Sequence, residues 1–223
     1  MTGHGDSAKK TELWPKPDSQ CTLTDFPLEV YGTVGFWTAQ GPTVCGGSGG
    51  GNKCFFYSKE NQWMPWTNMG TARYYASALQ INPNQAFIIG GYDENGNRLK
   101  TTELISSSGS EEGKDFPVRI YGHCSFPFNA THGIVTGGRQ NGAISANTWF
   151  VDLATTRVTP GPTMKTRRYH HGCSIFQHGT KSFGIVSGGI RKREEYLAST
   201  EIIDFDHESS KWTKGTQDKS KIL

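Results

Sequence analysis

"QAFIIGG", residues 85–91, is a short apolar run that stops on two glycines, and the same arrangement stands three more times in the chain. "GPTVCGG" (41–47), "HGIVTGG" (132–138) and "SFGIVSGG" (182–189) complete the set. The pairs are Gly46 and Gly47, Gly90 and Gly91, Gly137 and Gly138, and Gly188 and Gly189, so successive first glycines lie 44, 47 and 51 residues apart. A short apolar run bounded by a turn signal reads as a buried strand, and recurrence at a period of this size marks a repeat architecture.

Working outward, a second strand-like segment follows each pair: "KCFFYS", "TTELISS", "NTWFVDL" and "STEIIDF", rich in β-branched and aromatic residues. A third precedes each pair: "YGTVGFW", "RYYASALQI", "YGHCSFPF" and "YHHGCSIF". Trp63 and Trp212 mark a fourth strand, with Val158 as a weaker counterpart in the third unit and nothing evident in the second. Each unit is therefore expected to be a four-stranded antiparallel meander without a helix. A longer period overlays this one, since "DFPLEVYG" (25–32) matches "DFPVRIYG" (115–122) and "MGTARYY" (69–75) matches "MKTRRYH" (164–170). Odd and even units read as copies of a two-unit ancestor. "KKTELWPKPDSQCTLTDFP" near the amino end parallels "LKTTELISSSGSEEGKDFP", which makes residues 9–24 the outer half of a preceding unit.

An apolar strand closing on a diglycine, a downstream aromatic or acidic strand and a Trp beyond it, repeated in phase from Lys9 to Trp212, closely resemble the kelch repeat. The resemblance implies an all-β, kelch-type β-propeller with four recognisable four-stranded blades (25–68, 69–116, 117–163 and 164–214) plus the partial blade at 9–24. A disordered start (1–8) and a basic tail (215–223) would flank the propeller domain at 9–214. Kelch propellers commonly have more blades, so an incomplete or open propeller is expected, with self-association through its open edges.

Composition bounds the function without naming it. A formal charge of +3 with 20 acidic residues gives no sequence-wide case for nucleic acid or an anionic membrane. No run approaches the roughly 18–20 apolar residues that a membrane-spanning helix needs. The amino-terminal "MTGHGDSAKKTELWPK" has no apolar signal core, so the expectation is a cytoplasmic protein if Met1 is the true start and an extracellular one if the terminus is truncated. Cys21, Cys45, Cys54, Cys124 and Cys173 form no CxxC pair.

"VCGGSGGGNKC" (44–54) invites a phosphate-loop reading, but a dinucleotide fingerprint counted from Gly47 would need its third glycine at Asn52 and a helix after it. "CFFYS" follows instead, so the stretch reads as the loop joining two strands. Cys45 and Cys54 flank it on adjacent strands, where either a disulfide or two separate buried thiols is possible. Pairing of Cys21, Cys124 and Cys173 stays open. Asn129 opens "NAT", a glycosylation sequon at an expected hairpin tip.

No catalytic constellation stands out, and no cofactor or metal is expected. His170 and His171 are adjacent on an expected strand and point to opposite faces, while His123 and His171 could line an inner channel near Cys124 and Cys173. "SEE" (110–112) and "REE" (193–195) read as solvent-facing loop charges, and Glu103 and Glu201 as structural repeat positions. In kelch adaptors the b-to-c and d-to-a loops form one face whose arginines meet acidic peptides. The resemblance places Arg73 and Arg168 there, and the b-to-c loops add Tyr92, Asp93, Arg98, Arg139, Gln140, Asn141, Arg191 and Arg193. The expectation is a non-enzymatic module that binds a protein or peptide, an acidic one in particular. The alternatives are a carbohydrate-binding or galactose-oxidase-like propeller, or a ubiquitin-ligase adaptor fragment lacking its BTB domain.

Overall fold

The computed structural model describes residues 23–193, 195–206 and 210–215. The expected partial blade before Leu23, Cys21 and the basic tail beyond Gly215 lie outside these residues. All described regular structure is strand, and the chain divides into two compact units, Met1–Arg119 and Ile120–Leu223.

The first unit holds two four-stranded sheets, each antiparallel in chain order. One comprises β1 (Val34–Thr38), β2 (Gly41–Cys45), β3 (Cys54–Tyr57) and β4 (Trp63–Pro65). The other comprises β5 (Ser77–Asn82), β6 (Gln85–Ile89), β7 (Thr102–Ser106) and β8 (Gly109–Glu112).

The second unit opens with β9 (Ile120–Tyr121), followed by β10 (Cys124–Pro127), β11 (His132–Thr136), β12 (Arg139–Gln140), β13 (Ala143–Ile144), β14 (Thr148–Asp152) and β15 (Val158–Pro160). It continues with β16 (Gly172–His178), β17 (Lys181–Ser187), β18 (Ile190–Lys192), β19 (Glu195–Tyr196), β20 (Thr200–Asp204) and β21 (Thr213–Lys214). Its main sheets run β10-β11-β14-β15 and β16-β17-β20-β21, with β13-β12-β9 and β18-β19 as small satellites.

The apolar runs that end on diglycines became second strands, flanked by a neighbour on each side. In β6 and β11 both faces of the strand are covered, which explains their continuous hydrophobicity, whereas β2 and β17 bury only part of their length. Ala86, Phe87, Ile88 and Ile89 are fully buried, as are Ile134 and Val135. The core of each unit lies between its two sheets: Val34, Met69, Ile88 and Ile105 gather in the first, and Phe126, Ile134, Met164, Val186, Ile203 and Trp212 in the second. Large exposed apolar side chains occur on the first and last main sheets and on β19: Trp37, Met64, Phe176 and Tyr196.

All eight diglycine residues have positive φ, between 56° and 94°, a region that side chains with a Cβ avoid. The reason is close approach. Gly47 N–H donates to the Arg73 carbonyl at 2.8 Å and Gly138 N–H to the Arg168 carbonyl at 2.8 Å, so the diglycine of the first main sheet in each unit is stitched to the lead-in of the second.

Two readings of charged triplets need correction. "SEE" is not a loop: Ser110, Glu111 and Glu112 lie in β8, the fourth strand that pattern alone did not reveal. An outer strand pairs with only one neighbour, so it can be polar and short. Glu195 of "REE" also lies in a strand, β19, and it is ion-paired with Arg191 and Lys192 rather than merely solvated.

Candidate functional site

The matching segments "MGTARYY" and "MKTRRYH" build the same frame twice. In the first unit, Met69 is buried in the core and Arg73 is 2% exposed. The Arg73 guanidinium meets the buried Glu103 carboxylate, with Nε donating to Oε1 at 2.8 Å, while Nη1 donates to the carbonyls of Gly90 (3.0 Å) and Thr101 (2.9 Å). Glu103 also accepts the backbone N–H groups of Gly70 (2.7 Å) and Thr71 (3.0 Å) and the Ser110 hydroxyl (2.7 Å). Burial pushes the Glu103 carboxyl upward, yet the Arg73 charge and the hydrogen bonds from Ser110, Arg73 and Gly70 outweigh it and hold the group below the ordinary carboxylate range.

In the second unit Arg168, fully buried, pairs with Glu201 at 3.0 Å and donates to the carbonyls of Gly188 (2.7 Å) and Ser199 (3.1 Å). Glu201 accepts Lys165 N–H at 2.6 Å and Thr166 N–H at 2.9 Å. The guanidinium groups of Arg73 and Arg168 are therefore held in buried ion pairs rather than presented at the surface, although Arg73 still contributes to the wall of the first unit's cavity. Their charge is spent on fixing the loop that precedes a sheet to the diglycine corner and third strand of that sheet.

On each frame the loops line an open, solvent-accessible cavity. The first unit's cavity, about 330 Å³, is lined by Gly47, Ser48, Gly49, Gly51, Ala72, Arg73, Tyr74 and Glu94. Tyr74 stacks on Tyr92 with centroids 5.2 Å apart, and burial, reinforced by Tyr92, Tyr31 and Asp93, pushes its phenol above the usual range. Asp93 is tied into its own turn, accepting the N–H groups of Asn95 (2.9 Å) and Asn97 (2.8 Å). Arg98 is exposed and bridges Tyr92.

The second unit's cavity, about 440 Å³, is lined by Lys165, Thr166, Arg167, Arg191, Lys192 and Lys214, with Ala146 beside them. Lys165, Arg167, Lys192 and Lys214 escaped the sequence reading, which followed the family's buried arginine and skipped its neighbour. Aligning the two M-x-T-x-R segments for what differs, rather than for what matches, would have exposed Lys165 and Arg167.

The remaining expected residues divide. Arg139 donates to the Tyr121 hydroxyl at 3.2 Å and lies over the Tyr169 ring, and Gln140 is buried, donating to the Gly137 carbonyl at 3.0 Å. Asn141 turns the chain with φ 48°, and Arg193 is exposed.

His123 and His171 are buried, and burial first of all pushes each imidazole down to about 3, with Arg168, His123 and His170 adding to the effect on His171. Thr136 Oγ1 meets His171 Nε2 at 2.9 Å. Among the described residues, no group of three or more His, Cys, Asp or Glu side chains is placed to hold a metal ion.

Cys45 and Cys54, opposite one another on β2 and β3, form a disulfide, and a second disulfide joins Cys124 on β10 to Cys173 on β16. Asn129, Ala130 and Thr131 are exposed at the tip of the β10–β11 hairpin. Asn129 Oδ1 accepts the N–H groups of Thr131 (2.9 Å) and His132 (2.7 Å) and the Thr131 hydroxyl (3.0 Å).

No protein-family model matches the chain, and no curated protein sequence does. Among solved structures, that of YjhT superposes with a TM-score of 0.67 over 87% of this chain and 67% of that one, at 16% identity. At that identity the likeness concerns the fold alone: an all-β chain of small antiparallel sheets, consistent with a β-propeller-like architecture.

Proposed function

We propose that the chain is a kelch-type β-propeller, or a part of one, acting as a non-enzymatic interaction module that binds a protein or peptide through its b-to-c and d-to-a loops. One observation carries this reading. The same loop pairs form a cavity in both units, over an interior whose charged side chains are already consumed by the Arg73–Glu103 and Arg168–Glu201 pairs. Binding residues carried on loops above a rigid scaffold are the common arrangement of recognition modules.

Selection of displayed peptides on the full chain tests it. Selected peptides should lose binding when residues of the 46–53, 92–98, 165–167 or 190–193 loops are replaced. They should tolerate replacements at the hairpin tips around residues 40, 83 and 179. The reverse pattern would refute the reading.

The two disulfides and the exposed Asn129 sequon also support a glycoprotein of an oxidising compartment. Expressed through a eukaryotic secretory pathway, the chain should shift on amidase deglycosylation, and Asn129→Gln should abolish the shift. Secretion with intact disulfides but no shift would exclude the glycan.

A further inference from the structure

The residue that follows the first diglycine of each unit differs between the two units, and so does what covers a neighbouring tyrosine. In the second unit Arg139 follows Gly138. Its guanidinium lies 5.6 Å from the centroid of the Tyr169 ring and donates from Nη1 to the Tyr121 hydroxyl at 3.2 Å. A cation within about 6 Å of a ring centroid is attracted by the ring's electrons. In the first unit Ser48 follows Gly47, a short uncharged side chain in the same place.

Backbone pairing fixes that correspondence. Ser48 pairs with Tyr31 as Arg139 pairs with Tyr121. Gly47 and Gly138 donate to the carbonyls of Arg73 and Arg168, at 2.8 Å in both cases. Tyr75 N–H donates to the Gly32 carbonyl and His170 N–H to the Gly122 carbonyl, each at 2.7 Å, and both residues adopt left-handed backbone, with φ 56° and 53°. Tyr74 therefore stands where Tyr169 stands, Tyr31 where Tyr121 stands, and Ser48 where Arg139 stands.

Ser48 and Tyr74 are both walls of the first unit's open cavity of about 330 Å³. Glu94 is a third wall, exposed and without an ion pair among the described residues. It reaches the neighbouring loop, since a Cβ on Gly51 would lie 3.5 Å from its Oε1. Tyr92 stacks on Tyr74 with centroids 5.2 Å apart, and Tyr75 lies 5.5 Å from the same ring, so Tyr74 is held in place. Arg73 also contributes to the wall, but it is 2% exposed and its charge is cancelled by Glu103. The carboxylate of Glu94 is left to set the sign of the opening.

We infer that this cavity accepts the guanidinium of an arginine on a partner chain, seated on Tyr74 as Arg139 is seated on Tyr169, with the Tyr31 hydroxyl and the Glu94 carboxylate as acceptors. The inference rests on the reading of the protein as a module that binds a protein or peptide, and names the side chain taken at this site. That ligand is opposite in charge to the acidic peptides implied by the resemblance. A guanidinium suits the site because its planar fork pairs with a carboxylate while its face lies on an aromatic ring. The volume is at the small end of ligand sites, enough for one side chain rather than a length of polymer.

The test is a calorimetric titration of the full chain with an acetylated, amidated Gly-Gly-Arg-Gly-Gly peptide. Comparators replace the arginine by citrulline, its uncharged isostere, or by lysine, and free arginine is the fourth ligand. The arginine peptide should bind at least about tenfold more tightly than the citrulline peptide, and more tightly than the lysine peptide. Free arginine, which brings its own carboxylate toward Glu94, should bind more weakly. Glu94→Gln should weaken the arginine peptide by about tenfold with the melting temperature unchanged, since the residue is exposed. Ser48→Arg, which supplies from within the side chain that the second unit already has, should abolish binding. If Ser48→Arg does not fold, Glu94→Gln decides.

Equal binding of the arginine and citrulline peptides, tighter binding of the lysine peptide, or full affinity in Glu94→Gln would each overturn the inference. Tighter binding of free arginine than of the peptide would overturn the assignment to a partner chain. If display-selected peptides still map to the loops when the arginine peptide fails, the module reading stands and the side-chain assignment alone falls. If no selected peptide maps there, the module reading falls first.

Discussion

Arg73 and Arg168 show how one residue type can be misread and why. A family resemblance places an arginine at the head of the first strand of even units, and an arginine beside a loop suggests recognition. The structure buries both, each against a glutamate that also accepts two backbone N–H groups. Removing one member of a buried pair leaves an uncompensated charge, so Arg73→Ala should cost about 3–5 kcal/mol in urea unfolding. Arg73→Met combined with Glu103→Leu should recover most of that loss. A single variant as stable as the parent would show that the pair is dispensable.

The two buried histidines carry the opposite lesson. Both hold a pKa of about 3 in the fold against an ordinary 6.5, so the unfolded chain takes up protons first. Stability is therefore fully present above pH 6.5 and drains as the pH falls toward 3. The melting temperature should drop between neutrality and about pH 5, and less so in His123→Phe, which cannot titrate. An equal drop in parent and variant would remove His123 from the account.

At the scale of elements, the first diglycine of each unit is the device that joins its sheet to the next. A Cβ on Gly137 would strike the Arg168 carbonyl oxygen and lie 2.9 Å from the His171 ring, at φ 56°. Gly179, at φ 61° in the β16–β17 turn, has nothing within 4 Å. Both substitutions to Ala bear the backbone penalty of about 1 kcal/mol, but Gly137→Ala should cost clearly more in a thermal melt. Equal costs would mean that close approach does not fix the diglycine.

The disulfides differ in the same spirit. Cys124 and Cys173 are 49 residues apart and join β10 to β16, whereas Cys45 and Cys54 are 9 apart within one hairpin. Replacing the longer bridge by serines should cost about 2–4 kcal/mol and the shorter one less, if loop entropy dominates. Denaturant midpoints measured on both double variants decide it.

Across the whole molecule, legibility followed physical periodicity. Second strands were legible because each closes on a diglycine, and in β6 and β11 because burial on both faces demands unbroken apolar runs. The third strands were found from their aromatic and β-branched content. β8 was missed because an outer strand carries no such demand, and its Glu111 and Glu112 face solvent. The cationic cavity was illegible for a related reason. Its residues come from the segments around Lys165, Arg191 and Lys214, and only the ladder register shows that Lys214 and Glu112 hold one position.

Hydrogen exchange of the full chain with and without a display-selected peptide tests the central claim most directly. The account predicts slowed exchange within the 46–53, 92–98, 165–167 or 190–193 loops, with no change at the hairpin tips. Protection confined to the hairpin tips near residues 40, 83 and 179, or spread evenly over both units, would contradict it.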